Sequence, residues 1–195
     1  MRHDIHVEGA GFRLRPVADF DAPLISALRS DSELGRFLHP TPPALSQQLA
    51  WLAAYYEQPG DYYFVVERIV DGLAEGVIAL YSLDEIHQEA EWGRWVLKRG
   101  SLAAVESAAL IYRCAFHHLA LAEVYCRTVA DNTRVVAFHD SCGCAERHVL
   151  LNHFELGGRS FDAVEHRVNR DNWCEVVGPH LERLAAKLAT RISNV

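Results

Sequence analysis

One stretch near the middle of the chain limits the available folds more than any other. Glu91-Trp92-Gly93-Arg94-Trp95-Val96-Leu97 reads as a strand, and Arg99-Gly100-Ser101 carries it directly into a helical pattern with Leu102, Val105, Ala109, Tyr112 and Phe116 at helical spacing. Ser101 is the expected N-cap, and the helix is expected to end near His117-His118. A strand that enters a helix through so short a turn aims several unpaired backbone N–H groups at one point. With the positive end of the helix dipole, those donors suit a phosphate or pyrophosphate. One glycine in such a turn is weak evidence alone, because many similar turns bind nothing.

The following segment repeats the alternation of strand and helix. Glu123–Val129 alternates as a strand, Ala130-Asp131-Asn132 is a turn and cap signal, and Thr133–Ser141 is a short helix stopped by Cys142-Gly143. A strand–helix–strand unit of this kind is a crossover, which predicts two parallel neighbouring strands. Before it, residues 11–17 read as an opening strand and Asp19 as the cap of a helix through Leu28. Thr41-Pro42-Pro43 opens a second helix, Leu45–Tyr56, closed by Pro59-Gly60. Tyr63–Ile69 and Glu75–Ser82 form a hairpin across Asp71-Gly72, and Leu83–Gln88 connects to a strand over Glu89–Leu97. Late in the chain Arg147–Leu156 and Ser160–Asn169 form a second hairpin, and Trp173–Ile192 is a helix interrupted near Gly178-Pro179. This order predicts an α/β fold with a mixed sheet, antiparallel in its first half with one parallel crossover.

Two motifs carry a family resemblance. RGSLAAVESA at residues 99–108 lies under RGKGYATEAL, a common form of the pyrophosphate loop of the GNAT acyltransferases. ADNTRVVAFHDSCGC at 130–144 lies under their second signature, ADNxRAIRFYEKLGF. The opening Gly11-Phe12-Arg13-Leu14-Arg15-Pro16-Val17 resembles the branch that contains the RimJ and RimL N-terminal acetyltransferases. The resemblance covers about residues 11–175, leaving a C-terminal helix over 176–195 of one domain spanning 1–195. It implies the acyl-CoA N-acyltransferase fold with splayed central strands, and direct transfer of acetyl from acetyl-CoA to a primary amine without a covalent enzyme intermediate. Protein N-termini and nucleotide-linked amino sugars are the two acceptors it favours.

Transfer of this kind requires a held donor, a neutral amine, a hydrogen-bond donor for the oxyanion and a proton for the leaving thiolate. By resemblance, the backbone of Val96, Leu97 and Lys98 pairs with the pantetheine arm. Arg99, Gly100, Ser101, Ala103 and Ala104 face the pyrophosphate, and Asn132 contacts the arm; a simple helix cap is the alternative role for Asn132. Glu91 is the first choice of base, with Glu89 second at the same strand parity and His87 in the preceding loop as a substitute. His139 stands where many members carry a tyrosine that reprotonates the thiolate. Leu102 occupies the usual place of the second loop glycine. These two departures motivate an alternative: a catalytically inactive CoA-binding or protein-interaction module on the same fold.

Other features narrow the field. Trp92 and Trp95 have opposite strand parity, so at most one is expected to face the acceptor groove. Phe37-Leu38-His39-Pro40 lies where relatives build the acceptor pocket. His139, Cys142, Cys144 and His148 are metal-ligand types within ten residues, but the Cys-x-Cys spacing is tight for zinc and no metal is expected. A zinc-binding structural protein is the third reading. The net charge of −7 without a Lys/Arg cluster argues against nucleic acid as a partner and suits a cationic amine. No apolar run is long enough to span a bilayer, and MRHDIHVEGAGF lacks the apolar core of a signal peptide. Five cysteines, odd in number and unevenly spaced, point to a reducing cytoplasm. The edges of the late hairpin offer a surface for a homodimer.

Overall fold

A computed structural model describes residues 1–39 and 44–192. The described residues form one eight-stranded sheet in the order β1-β2-β3-β4-β5-β6-β8-β7. The strands are β1 (Val7–Glu8), β2 (Phe12–Pro16), β3 (Tyr62–Arg68), β4 (Ala74–Asp84), β5 (Glu89–Leu97), β6 (Glu123–Val129), β7 (Glu146–Leu156) and β8 (Arg159–Asn169). Every pairing is antiparallel except β5 with β6, which is the expected crossover. The helices are α1 (Ala22–Ser30), α2 (Leu45–Tyr56), α3 (Ala104–Arg113), α4 (Thr133–Ser141), α5 (Arg170–Asn172) and α6 (Gly178–Ile192).

Both faces of the central strands are covered, so their apolar runs are continuous instead of alternating with polar residues. Along β3 and β4, Phe64, Val66, Ile78 and Leu80 enter the core beneath α3 and α6, with Trp92, Tyr112, Phe116 and Trp173. Tyr63, Val65, Val77 and Ala79 enter the opposite core, with Ile25 and Leu28 of α1 and Leu52 and Tyr55 of α2. Strand alternation alone sorts these residues between the two layers.

Several boundaries differ from the sequence reading, each for a local reason. Asp19–Asp21 is a 3₁₀ turn, and α1 begins only at Ala22. The carboxylate that caps this entry belongs to Asp21, which accepts from the Ala18 N–H at 2.9 Å and binds Arg15. The α3 helix begins at Ala104, three residues beyond Ser101; the Ser101 hydroxyl accepts from the Ala103 N–H at 3.2 Å inside the turn. Both α3 and α5 run on through π-helical turns, Cys114–His118 and Trp173–Val177. The second of these accounts for the interruption near Gly178-Pro179. A Cβ on Gly178 would lie 2.7 Å from the Trp173 carbonyl oxygen, so the chain can restart as α6 there only without a side chain. The expected opening of α2 at Thr41-Pro42-Pro43, and Pro40 of the preceding loop, lie outside the described residues.

The most consequential local feature is a bulge in β5. Ala79 pairs with Gly93 but Val77 pairs with Val96, so Arg94 and Trp95 together oppose Ile78. Arg94 takes φ +48, in the left-handed region. An extra residue bends and twists its strand. The β5–β6 ladder runs through Glu89↔Glu123, Ala90↔Val124 and Glu91↔Tyr125, and no further pairs form although both strands continue. The two strands therefore splay apart beyond Glu91 as a V. The bulge also overturns the parity expected of the tryptophans. Trp92 and Trp95 share one face, with ring centroids 5.5 Å apart.

Candidate active site

A cavity of about 430 Å³ occupies the V between β5 and β6. Its walls include Glu91 through Val96 of β5 and Cys126 through Val129 of β6. Leu34, Phe37, Leu38 and His39 of the α1–α2 loop and Phe154 and Leu156 of β7 also line it. Among the residues named from sequence, Glu91, Val96, Asn132 and His139 line this cavity, as do Trp92, Trp95 and the Phe37-Leu38-His39 loop. Glu89 does not. It sits where the strands are still paired, and Arg167 of β8 binds both it and Glu123.

Glu91 is a partly buried carboxylate with two partners. The Tyr81 hydroxyl donates to its Oε1 at 3.1 Å, and Arg127 Nη1 lies 3.4 Å from its Oε2. Burial raises the Glu91 pKa above the ordinary carboxylate range, opposed by the Arg127 charge and the Tyr81 hydrogen bond. A carboxylate moved toward neutrality by burial, yet held in place by donors, has the properties of a general base. Behind it lies a cationic and aromatic shelf. Arg94 donates to Asp61 at 2.7 Å and stands 4.6 Å over the Tyr81 ring. Gly93 makes room for this arrangement, because a Cβ there would lie 2.5 Å from the Tyr81 Oη. On the β6 side Arg127 donates to Glu165 at 2.8 Å and covers Tyr125.

His139, on the buried side of α4, is enclosed by Trp92 at 5.2 Å, Trp95 at 6.1 Å, Phe138 at 5.3 Å and His166 at 5.3 Å between ring centroids. Burial, reinforced by the neighbouring His166, lowers its pKa to about 3. Near neutral pH it is an uncharged imidazole. It can therefore donate from a neutral N–H but not as an imidazolium.

The backbone expected to receive a pantetheine arm is ordered by β4. Lys98 N–H donates to the Glu75 carbonyl at 2.8 Å, and Val96 opposes Val77. Strand alternation then turns the N–H and C=O of Leu97, between them, toward the open side of the V. Beyond Leu97, Gly100 adopts φ +77 in a turn closed by Ser101 N–H to the Lys98 carbonyl at 3.1 Å. The N–H groups of the first turn of α3 follow, with no carbonyl four residues back to accept them. Leu102 is 42% exposed. Asn132 sits at the N-cap position of α4, but its side chain makes no capping bond, which leaves the amide available at the cavity wall. These donors fit the extended, phosphate-bearing donor substrate implied by the motifs. Arg99 is engaged by the α1–α2 loop, donating to Asp31 at 2.8 Å and to Glu33. The Arg99 hydrogen bond is the main reason the Asp31 pKa falls to about 2.

Tyr81, Arg94, Arg127 and the shared face of the two tryptophans escaped the sequence reading. Gly93 inside a strand pattern was the available signal for a bulge. The four metal-ligand types near residue 140 do not converge: His139 is buried among rings, whereas His148 is exposed beside Glu146. Among the described residues, no group of three or more His, Cys, Asp or Glu is placed to hold a metal ion.

Comparison with known proteins adds an independent line. Residues 12–145 match the family model described as an acetyltransferase (GNAT) domain. No curated protein matches the sequence. Among solved structures, a protein of T. thermophilus described as an acetyltransferase is 25% identical, with a TM-score of 0.78 over 94% of this chain and 98% of that one. FdhC, a nucleotide-linked sugar GNAT, is 23% identical, with a TM-score of 0.73 over 89% and 94%. A variant of the spermidine N-acetyltransferase SpeG from Vibrio cholerae is 18% identical, with a TM-score of 0.74 over 86% and 98%. At those last two identities the likeness concerns the fold.

Proposed function

The chain belongs to the GNAT acetyltransferase family, an N-acetyltransferase family that uses acetyl-CoA, and from that premise we propose that it transfers acetyl directly to a primary amine seated against Glu91. The observation that carries this reading is the Glu91 carboxylate: partly buried, raised in pKa, and lining the splay between the two parallel strands. Glu91 takes a proton from the attacking amine through water, and Arg127 and Tyr81 hold it in place. The outward N–H of Leu97 polarises the carbonyl under attack. Gly100, Ser101, Ala103 and Ala104 face the pyrophosphate, with Asn132 on the arm. His139 lies across the cavity and serves the departing thiolate through its neutral N–H. A free thiol ionises at a pKa of about 8.5, so the thiolate leaves without a strong acid.

A peptide N-terminus or a nucleotide-linked amino sugar is the proposed acceptor. The opening strand Phe12–Pro16 supports the RimJ/RimL-like branch, and five unpaired cysteines fit a reducing compartment. No helix among the described residues is long and apolar enough to cross a membrane. The outer edge of β7 has no strand partner among the described residues and exposes Val149 and Leu151, which supports pairing between two copies there.

The first test is thermal unfolding with acetyl-CoA against adenosine diphosphate as control. Saturation at a hundred times Kd stabilises a fold by about 2.7 kcal/mol, a shift of several degrees at this size. An acetyl-CoA shift followed by acceptor-dependent thiol release, lost in Glu91→Gln, is the expected result. Absence of any acetyl-CoA shift would refute the reading.

A further inference from the structure

A second hollow of about 780 Å³ adjoins the cavity at Glu91 and shares Arg29, Phe37, Leu38 and Leu156 with it as common walls. Its remaining walls come from the end of α1 and the α1–α2 loop on one side, and from the β7–β8 hairpin and Asp131 of the β6–α4 turn on the other. The loop and the hairpin each contribute an arginine beside its own neighbouring ring. The Arg36 guanidinium lies 5.0 Å from the centre of Phe37, and that of Arg159 lies 5.2 Å from the centre of Phe161. Neither arginine forms an ion pair with a carboxylate among the described residues. Two carboxylates reach this hollow: Asp31, already bound to Arg99, and Asp131.

A guanidinium beside a ring and without a carboxylate partner retains N–H donors that can grip phosphate. We infer that this hollow binds the phosphates of the acceptor, so that the amine presented to Glu91 is carried on a nucleoside diphosphate. The inference rests on the acetyl-transfer reading and names the substrate class within it. Glu91 is the carboxylate of the first cavity, beside Arg29, Arg94 and Arg127, whereas Arg36 and Arg159 line only the second hollow, at the far end from Glu91. A polyamine would bring its second cation against Arg36 and Arg159. Phe37 and Phe161 add apolar surface beside the phosphates. The same phosphate chemistry exists on the coenzyme. However, Gly100, Ser101, Ala103 and Ala104, the residues assigned to the coenzyme pyrophosphate, line neither hollow.

The test is calorimetric titration of the full chain, with CoA present, using uridine diphosphate and thymidine diphosphate, with uridine and inorganic pyrophosphate as comparisons. Binding of a nucleoside diphosphate, weakened about tenfold or more in Arg36→Ala and in Arg159→Ala while acetyl-CoA binding is unchanged, supports the inference; tenfold is the scale of one charge-assisted contact. Kinetically, KM for a nucleotide-linked amino sugar rises in both variants with kcat nearly constant, the signature of uniform binding lost. Both arginines are exposed, and the unliganded melting points of the variants check that folding is intact. If the variants instead weaken acetyl-CoA and the loss disappears with the 3′-dephospho analogue, the arginines hold coenzyme phosphate and the inference is overturned. It is also overturned if no nucleoside diphosphate binds to a wild-type chain that binds acetyl-CoA. A wild-type chain that fails to bind acetyl-CoA refutes the acetyl-transfer reading itself, and the same titration separates the two failures.

Discussion

Tyr81→Phe isolates the electrostatics of the base with the least disturbance. The substitution deletes one oxygen and leaves the ring beneath Arg94. The deleted hydroxyl donates to Glu91 Oε1 at 3.1 Å and, with the charges of Arg127 and Arg94, opposes the rise caused by burial. A hydrogen bond to a charged group contributes about 1.5 kcal/mol at the lower end of its range. One pH unit corresponds to about 1.4 kcal/mol, so losing the bond should move the acidic limb of kcat/KM upward by about one pH unit. The direction follows from the role. Glu91 acts as a base only when ionised, and removing a partner of the ionised form raises its pKa, so activity disappears at a higher pH than in the wild type. The assay is acceptor-dependent thiol release with a disulfide reagent between pH 5 and pH 9, a range of about four units chosen to span the carboxylate and imidazole values. Ionisation of the acceptor amine sets its own inflection, which belongs to the substrate and should not move. An acidic limb unchanged in Tyr81→Phe would refute the hydrogen bond as a control on the base. A limb that persists in Glu91→Gln would refute Glu91 as the base altogether.

Three further outcomes follow from the same geometry. Gly93→Ala places a Cβ 2.5 Å from the Tyr81 Oη, and because that atom ends a side chain the fold should lose only about 1 kcal/mol. The displaced hydroxyl should shift the acidic limb in the same direction as Tyr81→Phe, and a denaturation midpoint read beside the pH profile separates the two effects. Glu106, buried in α3, accepts from the N–H groups of Ala10 and Gly11. Glu106→Ala strands both donors and should destabilise the fold by about 2–4 kcal/mol in urea, with Glu106→Gln recovering part of the loss. Stability should also fall on acidification. His139 and His3 have folded pKa values of about 3 and about 4, both lowered mainly by burial. The unfolded chain therefore binds more protons below their ordinary value near 6.5, and stability declines as pH falls from about 6.5 to 4 at up to about 2.7 kcal/mol per pH unit. Replacing His139 by Phe should roughly halve that slope; an unchanged slope would refute a buried neutral His139.

Local patterning was sufficient wherever the determining contacts lie close in sequence. The bounds of α2, β5, β6 and α4 agree with the sequence reading because each is delimited by its own turn residues and apolar period. The parallel pairing of β5 with β6 followed from the handedness and brevity of a crossover. What escaped is what long-range packing decides. Ser101 has the chemistry of an N-cap, but its hydroxyl is spent on Ala103 within the turn, and α3 starts later. Arg99 reads as a phosphate ligand, yet it also meets Asp31 and Glu33, more than sixty residues away. Glu89 and Glu91 share parity and type; only the arginines of β6 and β8 separate them, one glutamate at the closed end of the V and one in the cavity.

The bulge at Arg94 connects these separate differences. Without the extra residue, Trp95 would lie on the face opposite Trp92, and Arg94 would take its place among the rings around His139. With it, two indoles and Phe138 close around His139 and keep that imidazole neutral, while Arg94 reaches Asp61 and Tyr81 on the other face. The same bend directs β5 away from β6 after Glu91, so the last paired residue of the strand is also the first to face the cavity. The opening of the groove, the dry wall around the histidine and the donor on the base therefore share one backbone cause. That explains why a sequence read by strict alternation finds the strand and the glutamate but sends half of the surrounding side chains to the wrong side.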